Sequence, residues 1–354
     1  MMKRYLPFYP LFIFLFQSVR LGGISWRRIP FFLIYVLRFI LCEPFRLTEL
    51  ILFDFRIRKH VMREDPIFIL GHWRSGTSHM QNILNEDPNF STTNLYRMLF
   101  PDHYVLTESW MMPLLNRFAK IFRLKYAFQR SQLDLSLSGE LDTALCSFGS
   151  TQAYTWAHLF PKRYQHLMQQ RVFTSETELD LSDYDYLIRK LSWKSKNKRI
   201  IVKSPGDTGR IKALLKRYPN ASFIYLSRGS YDVYHSSMYL WEAIQRENSL
   251  QQLNEEAISN LVKWTFPLLM KNYEEQKSII PKKHLIELSF EDLHDHTEST
   301  IKKVYQELAL GDFDAAHFAT FLQKNQAHRK AAYPIDSHLL EQLKNDWDPF
   351  FLEG

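Results

Sequence analysis

The sequence lacks several features that would place it in a specialised class of protein. Its two cysteines, Cys42 and Cys146, form neither a C-x-x-C pair nor a cluster with histidine at zinc-ligand spacing. Its 11 glycines and 15 prolines are too few for a collagen-like or low-complexity chain. Its apolar runs fall short of the roughly 20 residues that a membrane-spanning helix needs. These absences favour a globular protein of a reducing compartment, and we predict a cytoplasmic location.

The residues that are present suit a large core and a locally basic surface. Hydrophobic residues make up 45% of the 354 residues, enough to bury the core of one large domain or two modest ones. The net charge of +7 lies at one end, because residues 1–63 hold 11 Lys and Arg against three acidic residues. The rest of the chain is nearly neutral, which argues against a nucleic-acid partner.

Residues 1–63 are predicted to form an apolar, basic helical extension, and residues 64–354 to form an α/β domain. In the extension, aromatic residues and leucines are interleaved with arginines. This pattern suits a helix lying in a membrane interface or over the mouth of an apolar substrate pocket. It suits equally a helix that packs on the body of the protein, with its arginines reaching water. A peripheral membrane contact through residues 1–63 is therefore one prediction of the sequence.

From residue 65 onward, short apolar runs alternate with stretches of helical periodicity, which is typical of β-α units. The predicted fold is thus α/β, with a mostly parallel central sheet flanked by helices and a helical insertion at about 87–198. The predicted strands are 67–70, 199–202, 222–226 and 284–288, and the clearest helices are 78–85, 208–217, 230–245, 259–276 and 297–308.

The first predicted strand leads into a short polar turn and then a helix, and the turn reads GHWRSGTS over residues 71–78. A strand-to-helix turn of this kind binds anions, because backbone N–H groups converge there and the helix dipole adds positive charge. The G-x-x-x-x-G spacing is that of a P-loop, but Thr77 stands where nucleotide hydrolases require lysine. ATP chemistry is therefore disfavoured. Arg74 instead offers a planar guanidinium suited to a terminal phosphate or sulfonate.

At this turn the sequence resembles the sulfotransferases that use 3′-phosphoadenylyl sulfate (PAPS), whose first signature is a strand followed by P-R/K-S-G-T-T. Residues 73–78 carry that signature as WRSGTS. The second signature of the family, a strand that ends in Arg with Ser eight positions later, is matched by Arg228 and Ser236. The resemblance covers roughly residues 65–333 and implies a P-loop-like sulfotransferase fold. It also implies PAPS as the sulfonate donor, adenosine 3′,5′-bisphosphate (PAP) as the product and no metal.

The resemblance further implies roles for the matching residues. In that family the second signature holds the 3′-phosphate, so Arg228 and Ser236 are predicted to bind it. Lys203, in a K-S-P segment after the second strand, is predicted to contact the phosphosulfate. A basic loop with Arg329 and Lys330 would close over the 3′-phosphate, although a solvated surface loop has the same composition. The other predicted donor-binding residues lie in the turn, namely Arg74, Ser75, Gly76, Thr77 and Ser78.

Sulfonate transfer is an in-line displacement in which negative charge grows on the bridging oxygen, so cations and N–H donors must lie there. Arg74 and Lys203 are the predicted catalytic cations. The general base is more open, because Pro205 stands where some members of the family carry histidine. Others carry an acidic pair, which Glu140 and Asp142 resemble, and Asp142 is slightly preferred. The alternatives are Asp207, His72, His79 and His103.

The acceptor is predicted from the insertion, which is rich in aromatic and apolar residues. Such residues form either an ordinary helical core or an apolar pocket. Together with the apolar N-terminus, they favour a lipid, a sterol or another hydrophobic alcohol as acceptor. A carbohydrate is the second hypothesis. A third hypothesis, from another class, is a non-catalytic membrane-surface protein with a relic nucleotide loop.

Overall fold

Two β-sheets organise the part of the chain that the structure describes. This computed structural model describes residues 2–126, 131–174, 179–325 and 333–352. Its strands are β1 (Ile67–Gly71), β2 (Phe90–Thr92), β3 (Lys125–Tyr126), β4 (Ser131–Gln132), β5 (Arg199–Lys203), β6 (Ser222–Ser227) and β7 (Leu285–Ser289). A parallel five-stranded sheet has the order β2-β5-β1-β6-β7, whereas β3 and β4 pair as a short antiparallel hairpin.

Helices cover the larger sheet and make up the N-terminal segment and most of the insertion. Residues Pro205–Gly209 add a 3-10 turn directly after β5. The helices are α1 (Tyr9–Arg20), α2 (Ile29–Lys59), α3 (Thr77–Leu84), α4 (Leu95–Leu99), α5 (Tyr104–Ile121), α6 (Leu141–Ser147), α7 (Trp156–Leu159), α8 (Tyr164–Arg171), α9 (Ser182–Lys194), α10 (Ile211–Arg217), α11 (Ser230–Glu247), α12 (Glu255–Lys277), α13 (Phe290–Asp295), α14 (Thr297–Glu307), α15 (Ala315–Asn325) and α16 (Ser337–Trp347).

The predicted fold class and all four predicted strands are confirmed. β1 pairs with β5 on one side and with β6 on the other, so the carboxyl ends of these three strands meet at the middle of the sheet. Ligands of open α/β sheets bind in the crevice outside such strand ends. The strands end at Gly71, Lys203 and Ser227, which brings the segments with the predicted site residues side by side.

Three details differ from the sequence prediction. The insertion contains β2, which pairs in parallel with residues 199–201 at the edge of the sheet. Three residues are too few to show the alternation of a strand, so periodicity does not reveal β2 within the mostly helical insertion. α10 begins at Ile211 because the preceding residues form the 3-10 turn. α12 begins at Glu255, earlier than predicted, because the Asn254 side chain accepts a hydrogen bond from the N–H of Ala257 at 2.9 Å.

Hydrophobic clusters lie on both faces of the larger sheet. Side chains of a strand alternate between the two faces. Phe68 and Leu70 of β1 therefore belong to the larger cluster, and Ile67 and Ile69 to the smaller one. The smaller cluster packs α3 and α14 against the sheet, whereas the larger cluster continues beneath the insertion and the N-terminal helices.

The N-terminal helices α1 and α2 pack on the body of the protein. Phe14 of α1 lies in the larger cluster, with its ring 5.4 Å from Phe32 and 6.4 Å from Trp156. This arrangement matches the second of the two interpretations of the extension, and a domain boundary near residue 63 stays a prediction. Among the described residues, no helix combines the length and the apolar character that crossing a membrane requires.

Candidate active site

The turn after β1 is shaped to hold an anion. The N–H and the hydroxyl of Ser75 both donate to the carbonyl oxygen of His72, at 3.1 Å and 2.8 Å, and close the turn. Arg74 and Gly76 have φ angles of 75° and 94°, which lead the backbone into α3. The first N–H groups of a helix have no acceptor within it, and those of residues 76–78 find none elsewhere in the described chain. These N–H groups and the helix dipole together favour a negative charge.

Phe290, the first residue of α13, leaves room only for glycine at position 76. A Cβ atom on residue 76 would lie 2.5 Å from the Phe290 ring, so a larger side chain would displace that ring. The same ring supports Arg228, whose guanidinium carbon lies 4.6 Å from the ring centroid. The ends of β1, β6 and β7 are thereby packed into one wall of the site.

Arg228 and Ser236 lie beside the turn and contact Arg74. Nη1 of Arg228 donates to the carbonyl oxygen of Arg74 at 3.2 Å, and Nη2 pairs with Asp232 at 3.0 Å. Nε of Arg74 donates to the Ser236 hydroxyl at 2.8 Å. Nε of Arg228 is buried and meets no hydrogen-bond acceptor among the described residues. Because an unsatisfied buried donor costs free energy, this cluster has a physical reason to accept an anion.

The electrostatics of Arg74 point the same way. Burial lowers the pKa of Arg74, and the positive charge of Arg228 lowers it as well. Both effects act against the charged form of the guanidinium. A negatively charged ligand beside the two arginines would oppose both.

The second part of the site lies where β5 meets α6. Lys203, the last residue of β5, is buried, and its Nζ lies 3.0 Å from Oε1 of Glu140. The hydroxyl of Tyr154 donates to Oε2 of Glu140 at 3.3 Å. The side chain of Glu140 is 23% exposed, so one side of the carboxylate faces solvent. A cation and an accessible carboxylate thus stand together beside the strand that carries the turn.

Asp142 has a different environment from Glu140, although the two are neighbours in sequence. It is completely buried and accepts hydrogen bonds from the N–H and the hydroxyl of Thr155, at 2.9 Å and 3.0 Å. It also pairs with Arg210 at 3.1 Å, and Arg210 pairs with Asp207 at 2.6 Å. Burial raises the pKa of Asp142 to about 6 against the opposing effect of Arg210. Two buried carboxylates therefore share one guanidinium, and Asp142 ties α6 to the turn after β5.

Contacts through Thr208 and Trp73 join the two parts of the site. The hydroxyl of Thr208 accepts from the N–H of Gly71 at 2.8 Å, which fixes the end of β1 to the turn after Lys203. The indole of Trp73 meets the ring of Tyr154 edge-on, with 5.5 Å between centroids. The anion-binding turn and the Lys203–Glu140 pair are consequently held at a fixed spacing.

The histidines named as alternative bases all have structural surroundings. Nδ1 of His72 lies 2.7 Å from the carbonyl oxygen of Trp73, and burial lowers the pKa of His72 to about 4. Burial lowers the pKa of His103 to about 3, and its Nδ1 lies 2.9 Å from the Thr107 hydroxyl. The ring of His79 packs against Phe321. These contacts give each histidine a role in the fold.

The structure adds three residues that the sequence analysis did not select. Arg210 lies three residues after Asp207, in the segment that follows a predicted strand, and this spacing could have identified the ion pair. His158 packs its ring against Tyr154 and has its pKa lowered to about 4 by burial, against the effect of Glu140. Burial and Glu140 raise the pKa of Tyr126 in β3, and Arg74 lowers it. Neither His158 nor Tyr126 has a sequence signal.

Arg329 and Lys330 lie outside the described residues. Within the residues that are described, no three His, Cys, Asp or Glu side chains are grouped as a metal site would require.

Comparison with known proteins identifies the family. Residues 66–314 match the sulfotransferase family. The chain belongs to this family, and the protein is a sulfotransferase. The resemblance carried by the two signatures is thereby confirmed. Sulfotransferase structures show the same fold: STF1 of Mycobacterium tuberculosis superposes with a TM-score of 0.70 at 15% identity, over 96% of this chain and 91% of that one. STF9 of Mycobacterium avium superposes with a TM-score of 0.67 at 18% identity, over 86% and 80%.

The sulfotransferase is also similar in sequence to two mycobacterial proteins. It is 30% identical over 271 residues to the omega-hydroxy-beta-dihydromenaquinone-9 sulfotransferase Stf3 of Mycobacterium bovis, which covers 76% of this chain and 69% of the relative. A protein of the same name from Mycobacterium tuberculosis matches to the same extent.

Proposed function

We propose that this sulfotransferase moves a sulfonate group from PAPS to the hydroxyl of a hydrophobic, lipid-like alcohol. The observation that carries the proposal is the juxtaposition of two sites at adjacent strand ends. The anion-binding turn with Arg74 follows β1, and Arg228 lies beside it after β6. Lys203 ends β5 and pairs with the accessible carboxylate of Glu140. The first suits a phosphosulfate donor, and the second suits activation of an alcohol.

The donor side fits PAPS by its chemistry. The N–H groups of residues 76–78, with the hydroxyls of Thr77 and Ser78, would hold the phosphosulfate. The orphaned Nε of Arg228 and the hydroxyl of Ser236 would hold the 3′-phosphate. PAPS supplies an activated sulfonate, whose S–O bond to phosphate breaks as the oxygen of the acceptor bonds to sulfur. Arg74 and Lys203 would stabilise the negative charge left on the phosphate oxygen.

Glu140 is our proposed general base, in place of the slightly preferred Asp142. A base must reach the proton of the acceptor hydroxyl, and the carboxylate of Glu140 faces solvent beside Lys203. Asp142 has its oxygens occupied by Thr155 and Arg210. We assign Asp142 and Arg210 the role of positioning residues, which hold the start of α6 and so the carboxylate of Glu140.

The acceptor side supports an apolar substrate. The hydroxyl of Tyr154 contacts Glu140, and the rings of Trp73 and His158 pack against Tyr154. The packed aromatic rings continue from His158 to Tyr164 and Trp241. The name of the Mycobacterium bovis relative describes a sulfotransferase acting on a hydroxylated menaquinone, which is a long isoprenoid lipid.

The test begins with donor binding, which requires no acceptor. Thermal unfolding is measured with PAP, AMP and MgATP, and a ligand at 100 times its Kd stabilises the fold by about 2.7 kcal/mol. We expect a shift with PAP alone, lost in Arg228→Ala and kept in Arg246→Ala, where the arginine pairs with Glu247 at the surface.

Labelled PAPS is then offered with long-chain isoprenoid alcohols or with glycans. Sulfonation of glycans alone would contradict a hydrophobic acceptor.

A further inference from the structure

Helix α2 buries four charged residues on the side that faces the protein and exposes apolar residues on the side that faces outward. Its buried positions are Phe39, Glu43, Arg46, Glu49, Asp54 and Ile57. Its exposed positions include Leu33, Ile34, Leu37, Leu41, Ile51 and Phe55, which are between 54% and 76% exposed. Between residues 43 and 54 this is the reverse of the polarity of a surface helix in a globular protein.

The four buried charged residues named above each have an ion-pair partner. Arg46 pairs with Glu43 at 2.7 Å, and Asp54 accepts from Arg58 at 2.6 Å. Glu49 pairs with Lys190 of α9 and accepts from the N–H of Leu106, at 2.8 Å, at the start of α5. The helix is thus fixed to the body by ion pairs and hydrogen bonds, and it cannot turn its apolar side inward without breaking them.

Helix α5 continues the apolar surface. The rings of Phe45 in α2 and Trp110 in α5 lie 5.9 Å apart and join the two helices. The exposed apolar residues of α5 and the turn after it follow helical spacing along one side, and they are Leu114, Phe118, Ile121 and Phe122. Phe12 and Phe16 of α1 are exposed as well. The exposed apolar side chains of α1, α2 and α5 are called the outer face below.

The exposed charged side chains on the segments that carry the outer face are basic, and the exposed carboxylate that contacts these segments is that of Asp134, which accepts from Asn116 of α5 at 2.9 Å. In residues 4–63 and 104–126, the acidic residues are Glu43, Glu49, Asp54 and Glu108, and all four are buried. The exposed charged residues of the same segments are therefore basic, and they are Arg20, Arg27, Arg56, Lys59, Arg63, Arg117, Lys120, Arg123 and Lys125. Large exposed apolar patches on soluble proteins mark interaction sites. A basic surround selects a partner that is apolar within and anionic at its surface.

The outer face ends beside the active site. After α5 the chain enters the β3–β4 hairpin, and the side chain of Gln132 in that hairpin donates to the carbonyl oxygens of Ala119 and Leu124, at 3.1 Å and 2.8 Å. The segment after the hairpin leads to Glu140, and within it the N–H of Leu135 donates to the side chain of Asn116 in α5 at 2.8 Å. Residues 133–140 therefore connect the exposed end of α5 with the Lys203–Glu140 pair.

We propose that the outer face docks on an anionic lipid bilayer, so that an acceptor held in the bilayer enters the site past the exposed end of α5 and residues 133–140. The apolar residues would insert at the boundary of the acyl chains, and the basic residues would contact anionic headgroups. The acceptor route rests on the proposed function, whereas docking itself does not. A second copy of the chain is a poorer occupant, because two outer faces would bring together two basic surfaces.

The test is co-sedimentation of the full chain with vesicles of phosphatidylcholine, alone or mixed with phosphatidylglycerol. We expect binding to the mixed vesicles. Phe122→Glu and Leu37→Glu should each weaken it by about tenfold or more, because each puts a charge in place of an exposed apolar group that would be buried in the bilayer. The matched control is Ile279→Glu, which changes an exposed apolar residue at the end of α12 and should not affect binding. Arg117→Gln with Lys120→Gln should weaken binding to the mixed vesicles only.

Several outcomes would overturn the proposal. They are no binding by the unaltered protein, equal binding by Phe122→Glu and Leu37→Glu, or an equal loss in the Ile279→Glu control. A dimer that Phe122→Glu dissociates, without vesicle binding, would assign the outer face to a second copy. Thermal unfolding of each variant checks that it is folded, and its PAP response reports on the donor site separately. Vesicle binding without sulfonate transfer to any alcohol would refute the proposed function and leave docking in place.

Discussion

The donor side and the acceptor side of the site are built in different ways. On the donor side, Arg228 and the first turn of α3 retain hydrogen-bond donors without an acceptor in the described chain. On the acceptor side, Asp142 and Asp207 both pair with Arg210, and all three side chains are buried. The first arrangement is poised to gain contacts from a ligand, and the second stabilises the fold that positions Glu140. Substitutions on the two sides should therefore fail in different assays.

Replacing Glu140 separates chemistry from binding and should have the largest effect. Glu140→Gln keeps an oxygen for Lys203 but removes the proposed base, so we expect kcat to fall by about 10²- to 10⁴-fold. Binding of PAP should change little, since Glu140 contacts neither Arg228 nor Ser236, the residues proposed to hold the 3′-phosphate. Single-turnover sulfonation and PAP titration measure the two quantities.

Asp142→Asn is the matched variant for Glu140→Gln. It preserves the volume of a buried side chain, and we expect a far smaller loss of kcat. If Asp142→Asn lost the larger factor with PAP binding and folding intact, while Glu140→Gln kept its rate, the base would be Asp142.

Removing Arg210 should lower the stability of the fold on the acceptor side. Arg210→Met leaves Asp142 and Asp207 buried without their shared cation, so the free energy of unfolding should fall by about 3–5 kcal/mol. Urea unfolding followed by fluorescence measures the loss. The control Arg246→Met removes an exposed, ion-paired arginine and should leave the midpoint unchanged. A loss below about 1 kcal/mol for Arg210→Met would show that the network does not stabilise the fold.

The stability contributions of His72, on the donor side, and of Asp142, on the acceptor side, should change with pH in opposite directions. Burial lowers the pKa of His72, after β1, to about 4, so its contribution to stability is present above the usual value of about 6.5 and lost as pH falls towards 4. Burial raises the pKa of Asp142 to about 6, so its contribution is present below about 4 and lost as pH rises towards 6. Each change amounts to roughly 3 kcal/mol.

Unfolding free energies of the unaltered protein, His72→Asn and Asp142→Asn between pH 4 and pH 7 test this contrast. The difference between the unaltered protein and His72→Asn should grow as pH rises. The difference from Asp142→Asn should shrink over the same range. Two parallel curves would contradict the assignment of opposite effects to the two sides.

The grouping of the residues on the proposed donor side could be predicted from sequence because its signals are local. The turn, the strand before it and the Arg228–Ser236 spacing are contiguous patterns, and the structure brings these residues into contact. The acceptor side depends on contacts between distant segments, which periodicity does not reveal. The choice between Glu140 and Asp142 is one example, since only the tertiary structure shows that Arg210 buries Asp142. The reversed polarity of α2 is another, because its charged residues were expected to reach water.

The smallest effect should come from the hydroxyl that connects the two donor-side elements. Ser236 accepts from Nε of Arg74 at 2.8 Å, so Ser236→Ala removes one hydrogen bond to a charged group at the proposed phosphate site. We expect PAP affinity to fall by about 2- to 10-fold, the equivalent of about 0.5–1.5 kcal/mol. Ser237, the next residue of α11, is the control, because its buried hydroxyl has no partner among the described residues. Isothermal titration with PAP should show no loss in Ser237→Ala. Equal losses in both variants would mean that α11 as a whole, and not the contact with Arg74, sets the affinity.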